Sequence, residues 1–228
     1  RLDEGRTHSA VRVPRTALDA DAAIGTTADA FVGARLFVSD RTMAALLEAL
    51  TVREPDLQER LADVSSLAVA TGQRLGLRRD ELDELSRAAQ LHDLGKLAVP
   101  DEILHKDGAL DEREWAFVRQ HSIVGERILR ASPALRSVAG IVRSSHENWD
   151  GSGYPDGLSG EEILLAARIV RACDAYVAMT SHRPYREALA PADALNELMR
   201  LAGVEFDPNV VRVVVAEVRE EQEAEQAA

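Results

Sequence analysis

His92-Asp93-Leu94-Gly95-Lys96, taken together with His146-Glu147-Asn148-Trp149-Asp150-Gly151-Ser152-Gly153-Tyr154-Pro155, decides how the rest of this 228-residue chain is interpreted. Each stretch follows an apolar stripe at helical spacing. Leu82, Leu85 and Ala89 lead to Leu91 and the His-Asp pair, while Val138, Ile141 and Val142 lead to Ser145 and His146. In both, ligand-type side chains arrive at the end of a helix and glycine then breaks the pattern. A His-Asp pair followed by Gly-Lys suits a divalent ion held beside a phosphate.

The neighbouring segments read the same way. Ser39-Asp40 offers an N-cap for a helix over Arg41 to Leu50, with Met43, Leu46, Leu47 and Leu50 on one face. Pro55-Asp56 opens a longer helix through Leu57, Leu61, Val64, Ala68 and Leu75, which ends at Gly76. Asp111, Glu112 and Glu114 start another, acids first as the helix dipole favours. His121 is expected about three turns into that same helix, with Ile128 and Leu129 continuing its buried face. Pro133 is expected to open the helix that delivers His146. Gly160 to about Ser181 reads as one helix bearing Asp174, and two more follow near Pro191 to Leu201 and Pro208 to Glu221. No stretch alternates like a strand, so the pattern predicts an all-α bundle.

Composition narrows the possibilities. Aromatics make up 4% of the chain, so Leu, Val, Ile and Ala must fill the core, as packed helices allow. A formal net charge of -12 disfavours a nucleic-acid polymer as partner, because phosphate backbones recruit clustered Lys and Arg. A small phosphorylated ligand needs only a local cationic pocket. Cys173 is the single cysteine, which excludes an intrachain disulfide and fits a reducing, cytoplasmic compartment. No apolar run approaches a membrane span. The start at Arg1 without Met reads as a piece of something longer.

His92, Asp93, His121, His146 and Asp174 are each separated by about a helix and a loop, so only a bundle can assemble them. Imidazoles and carboxylates without thiolate suit one or two divalent transition-metal ions, Fe, Mn, Zn or Ni, better than Mg alone and argue against a structural cysteine-zinc site. Asp174 sits among Cys173, Tyr176 and Met179, where an uncompensated carboxylate is costly to bury. Lys96, one turn past the His-Asp pair, is placed to meet phosphate oxygens. Arg183 and Arg186, flanking Pro184-Tyr185, read either as a solvated helix end or as phosphate donors.

On these residues the chain resembles the HD-GYP family of the HD phosphohydrolase superfamily. The resemblance runs from about Pro55 to Val211 and rests on the His92-Asp93-x-Gly95-Lys96 element, Pro100-Asp101-x-Ile103-Leu104, His121, the Gly153-Tyr154-Pro155 signature after His146-Glu147-x-x-Asp150-Gly151, and Asp174-Ala175-Tyr176-x-Ala178-Met179-Thr180-Ser181 leading to Arg183-Pro184-Tyr185-Arg186. It implies a five-helix HD core with additional C-terminal helices, and a two- or three-metal centre, Fe or Mn among those ions, that hydrolyses cyclic di-GMP. It further implies His92, Asp93, His121, His146 and Asp174 as metal ligands, with Asp93 bridging. Asp93 and Lys96 would act in catalysis, Lys96, Arg183 and Arg186 would hold substrate phosphate, and Gly153, Tyr154 and Pro155 would shape the mouth or meet a partner domain. The expected organisation is a linker or helical appendage over 1–50, an HD-GYP-like domain over 51–222 and a tail over 223–228.

Two positions depart from the family pattern. Arg60 stands where the first helix should present a histidine, and Ser145 where the family has the first of two consecutive histidines. Val177 and His182 replace residues that are commonly Asp. A guanidinium about 4.5 Å from a divalent ion at an effective dielectric near 20 would be repelled by roughly 7 kcal/mol. Arg60 therefore either swings away, or replaces an ion by pairing with Asp93 or Asp174, where it could also meet substrate. The expected function is a cyclic-dinucleotide phosphodiesterase weakened by this ligand set. The alternative is an inactive signalling module that binds a cyclic dinucleotide or a diguanylate cyclase partner, coupled to an upstream sensor and able to form a homodimer.

Overall fold

The computed structural model describes residues 41–54, 57–182 and 187–227. Helix α1 spans 41–53, α2 Leu57–Arg74 and α3 Arg79–Leu91. A 3-10 turn, Leu94–Ala98, and the short α4, Asp101–Leu104, lead to α5, Glu112–Arg119, and α6, His121–Ala131. Then come α7, Arg136–Ser144, a 3-10 turn at Gly160–Glu162, α8, Leu165–Thr180, α9, Pro191–Arg200, and α10, Pro208–Gln226. Among the described residues there is no strand, only an isolated bridge between Ala202 and Phe206. The all-α expectation holds. No described helix is long and apolar enough to cross a membrane.

The apolar side chains gather into two main cores, and α3 and α8 lie between them. On one side Val64, Ala68, Leu85, Ile169, Cys173, Leu198, Val210 and Val214 pack together from α2, α3, α8, α9 and α10. On the other, Ala88, Leu91, Leu94, Leu129, Val138, Val142 and Ala167 join α3, α6 and α7 to the start of α8. A helix wedged between two apolar layers can carry polar side chains only where the layers part. The His-Asp pair at the end of α3 and Asp174 in α8 occupy that seam. A third cluster of Leu50, Leu57 and Leu61 fastens α1 to α2.

Several helix boundaries differ from the sequence expectation. The segment from Asp111 onward is two helices, and His121 opens the second instead of lying three turns into one. The reason is local: the His121 Nδ1–H donates to the Val118 carbonyl at 2.6 Å and Ser122 Oγ to the Arg119 carbonyl at 3.3 Å, so side chains satisfy the last carbonyls of α5. The helix expected from Pro133 begins at Arg136 after a turn. The helix expected from Gly160 begins at Leu165, because Ile163 and Leu164 are extended and the Ile163 carbonyl accepts from Arg168 Nε at 2.9 Å. Helix α10 continues past Glu221 to Gln226. The Pro55-Asp56 helix start, the whole segment before Arg41 including the Ser39-Asp40 cap, and Arg183 and Arg186 lie outside the described residues.

Candidate metal centre

Three helix ends and one helix interior converge. His92 and Asp93 follow α3, His121 begins α6, His146 follows α7, and Asp174 projects from the middle of α8. Asp93, His121 and His146 offer donor atoms that all lie within 4.8 Å of one another. His92 Nε2 lies 3.6 Å from Asp93 Oδ2 and 3.5 Å from Asp174 Oδ1, and His121 Nε2 lies 3.7 Å from Asp93 Oδ1. Asp93 thus faces both halves of the cluster, one oxygen to each. All five residues expected as ligands meet at this seam.

Backbone carbonyls fix two of the imidazoles. His92 Nδ1 lies 2.7 Å from the Ala89 carbonyl and His121 Nδ1 2.6 Å from that of Val118, so each Nδ1 carries a proton and each Nε2 faces inward. The Nε2 atoms of His92, His121 and His146 are buried and have no hydrogen-bond partner. Three buried ring nitrogens without partners beside the Asp93 and Asp174 carboxylates are costly unless a cation completes them. The donor set fits a divalent ion of borderline hardness.

The electrostatics agree. Burial pushes the His92 imidazole down, yet the Asp93 and Asp174 carboxylates outweigh it and raise its pKa to about 9. Burial also opposes ionisation of Asp93, but Lys96 and the surrounding imidazoles hold its carboxyl well below the usual range. Asp174 is held low against burial, chiefly by His92. Burial lowers His121, and lowers His146 well below the ordinary value with help from the His121 charge. The two carboxylates are held ionised while His121 and His146 stay neutral, and the cationic His92 and Lys96 beside Asp93 offset their charge.

The glycine spacing has a steric cause. A Cβ on Gly95 would lie 1.8 Å from the His121 carbonyl oxygen and 2.7 Å from the Gly125 nitrogen, so the turn after Asp93 lies directly on the start of α6. That contact brings Asp93 to His121. A Cβ on Gly153 would lie 2.2 Å from the Asn148 nitrogen, so the loop after His146 folds tightly back on its own start. The Tyr154 amide then donates to the His146 carbonyl at 3.1 Å. Its ring stacks on the His146 imidazole, centroids 5.1 Å apart and planes 7° apart. Glu147 holds the far side of the loop, accepting from the amides of Asp156 at 2.7 Å and Leu158 at 3.2 Å.

Three residues were invisible to spacing arguments. Arg53, at the end of α1, donates from Nη1 to the carbonyls of Lys96 and Leu97, both at 2.9 Å, from Nη2 to that of Val99, and from Nε to Asp101 Oδ1 at 2.8 Å. It clamps the turn that follows Asp93. Arg143 joins Glu126 of α6 to Asp156 of the loop, and Arg171 pairs with Glu205 at 2.7 Å and donates to the Asn148 side-chain Oδ1 at 3.2 Å. Of the expected substrate residues, Lys96 donates to Asp93 Oδ2 at 2.7 Å, so its ammonium lies inside the cluster. Arg60 forms no ion pair with Asp93 or Asp174, and its buried Nε has no partner, so the ion-replacement alternative is absent. Ser145 Oγ donates to the Val142 carbonyl at 2.9 Å, away from any ligand role.

Residues 44–210 match the family model described as HD domain. The chain belongs to the HD domain family. This HD domain is of the HD-GYP type, as its His-Asp and Gly-Tyr-Pro elements indicate. It is 40% identical over 172 residues to the cyclic di-GMP phosphodiesterase response regulator RpfG of Xanthomonas campestris pv. campestris, a match covering 75% of this chain and 46% of the relative. It is also 40% identical over 142 residues to the 3'3'-cGAMP-specific phosphodiesterase 2 of Vibrio cholerae, covering 61% of this chain and 27% of the relative. The chain therefore spans less than half the length of these relatives. A crystal structure of a cyclic GMP-AMP specific phosphodiesterase of V. cholerae superposes with a TM-score of 0.61 at 22% identity, over 78% of this chain and 48% of that one, which establishes the shared fold.

Proposed function

We propose that this HD domain is a metal-dependent phosphodiesterase that opens a cyclic dinucleotide, with cyclic di-GMP the first candidate substrate. The observation that carries the reading is the set of three buried, unpartnered Nε2 atoms facing Asp93 and Asp174. His92, Asp93 and Asp174 would hold one ion, and Asp93, His121 and His146 a second, with Asp93 shared. Bound there, iron or manganese would supply a water of lowered pKa and neutralise charge developing on the phosphoryl oxygens. The rest is the work of the chain itself. The Ala89 and Val118 carbonyls hold the His92 and His121 tautomers, and the Tyr154 ring keeps His146 from turning. Lys96 orients Asp93 and brings a positive charge to the edge where a phosphate would arrive. Arg183 and Arg186, which lie outside the described residues, would be further phosphate donors, as the sequence resemblance implies. The relatives named as phosphodiesterases of cyclic di-GMP and of 3'3'-cGAMP support the substrate class and leave the choice of bases open.

The same reading takes 51–222 as the HD-GYP unit, places it in the cytoplasm and couples it to an upstream sensor or a diguanylate cyclase domain. The test is metal content of protein produced with iron and manganese, followed by turnover of cyclic di-GMP and 3'3'-cGAMP. Bound ions with turnover that disappears in His92→Ala and Asp93→Asn support the enzyme. Wild-type protein that binds the dinucleotide without cleaving it is a signalling module instead.

A further inference from the structure

The cations around the centre are unequal. Lys96 is engaged by Asp93, and Arg171 is engaged by Glu205 and Asn148. Arg119, the last residue of α5 and two positions before His121, is different. Its side chain is exposed, and its guanidinium carbon stands 5.8 Å from the centroid of the Tyr154 ring. No carboxylate among the described residues pairs with it, in a chain carrying 39 acidic residues. Tyr154 in turn lies on His146, so a single aromatic ring separates the guanidinium from the candidate metal centre.

Exposed and set against the ring, the guanidinium keeps the planar fork of N–H donors that can bind two oxygens of a phosphate at once. A cyclic dinucleotide has two phosphodiesters. Only the one being cut can lie at the ions, and the other stays anionic and needs a cation set back from them. We propose that Arg119 is a substrate-holding residue that binds the phosphodiester not being cut. The assignment rests on the phosphodiesterase reading above and adds to it the means by which a dinucleotide is held in preference to a simple diester.

The experiment compares wild type, Arg119→Gln and Arg119→Lys in the metal-loaded full chain, on cyclic di-GMP and on bis(p-nitrophenyl) phosphate, a diester with no second phosphate. For Arg119→Gln, KM for cyclic di-GMP should rise roughly tenfold or more while kcat changes less than about twofold. Kinetics on the simple diester and the melting temperature should stay at wild-type values. Lysine, which keeps charge and loses the fork, should recover only part of the loss. Equal losses on both substrates, or no loss on cyclic di-GMP, overturn the assignment while leaving the phosphodiesterase reading intact. If wild type binds cyclic di-GMP without turnover, that reading fails as an enzyme and calorimetric affinity replaces KM: equal affinity for wild type and Arg119→Gln overturns the assignment, and a tenfold weaker one upholds it. Wild type that neither cleaves nor binds removes both.

Discussion

Replacing Gly95 by alanine adds one methyl group where, among the described glycines, a Cβ would meet the shortest contact. Its Cβ would be 1.8 Å from the His121 carbonyl oxygen and 2.6 Å from the carbonyl carbon, both backbone atoms that no rotamer change can move. To reach a tolerable separation the Leu94–Ala98 turn and the start of α6 must part by more than about 1 Å, since non-bonded carbon sits comfortably only near 3.5 Å. Overpacking a core costs about 1–3 kcal/mol, and a clash against backbone on both sides belongs at the upper end, about 3 kcal/mol. For a domain of this length each kcal/mol lowers Tm by about 2–4 °C, so Gly95→Ala should melt about 6–12 °C below wild type. The same displacement widens the 3.7 Å gap between His121 Nε2 and Asp93 Oδ1. Misplacing a reacting group by about 1 Å can cost about a hundredfold in rate. Thermal unfolding in chelator measures the steric part alone, and manganese titration measures the part felt by the ligands. Gly125→Ala is the comparator, because its Cβ meets the movable Val142 Cγ1 at 3.1 Å and should cost far less. Gly95→Ala melting within about 2 °C of wild type would falsify the argument that this contact sets the spacing of Asp93 and His121.

Other outcomes follow from separate features. Arg60→His with Ser145→His should raise metal content per chain and turnover together; a double variant that gains neither shows these positions are not vacant ligand sites. Arg53→Ala should cost about 2 kcal/mol, the scale of hydrogen bonds from a charged group, and amide exchange should accelerate across 94–101 more than across α9. For Asp156, hydrogen bonding to Arg143 lowers the carboxyl pKa in the folded state. The stability it contributes is therefore present above the ordinary carboxylate pKa of about 4 and lost as pH falls through the depressed folded value. The melting temperatures of wild type and Asp156→Asn should differ at pH 7 and converge near pH 2–3; a constant gap across that range refutes the ion-pair account.

The all-α architecture and the five ligand candidates were legible because each candidate terminates or interrupts an apolar stripe that periodicity exposes. His92-Asp93 comes after Leu91 and His146 after Val142, so their positions at helix ends could be read along one dimension. The break before His121 could not. It depends on a ring nitrogen and a serine hydroxyl taking carbonyls from the preceding turn, in a stretch whose propensities are helical throughout. Arg53 and Arg119 escaped for a related reason: their partners are backbone carbonyls 43 to 46 residues away and an aromatic ring 35 positions on, which no short-range pattern encodes. Arg60 shows the limit of substitution arguments. A charge mismatch at a ligand position suggested an ion pair, and the folded chain buries its Nε without one.

Arg53 also changes how the domain can be pulled upon. One guanidinium at the surface end of α1 grips the peptide oxygens of Lys96, Leu97 and Val99 and a carboxylate just downstream of Asp93, while Leu50 locks the same helix onto α2. Any torque on α1 is thereby handed to the Leu94–Ala98 turn, whose glycine has no slack against α6. Helix and turn must move as one rigid lever, and the short arm of that lever ends at the carboxylate that spans both halves of the cluster.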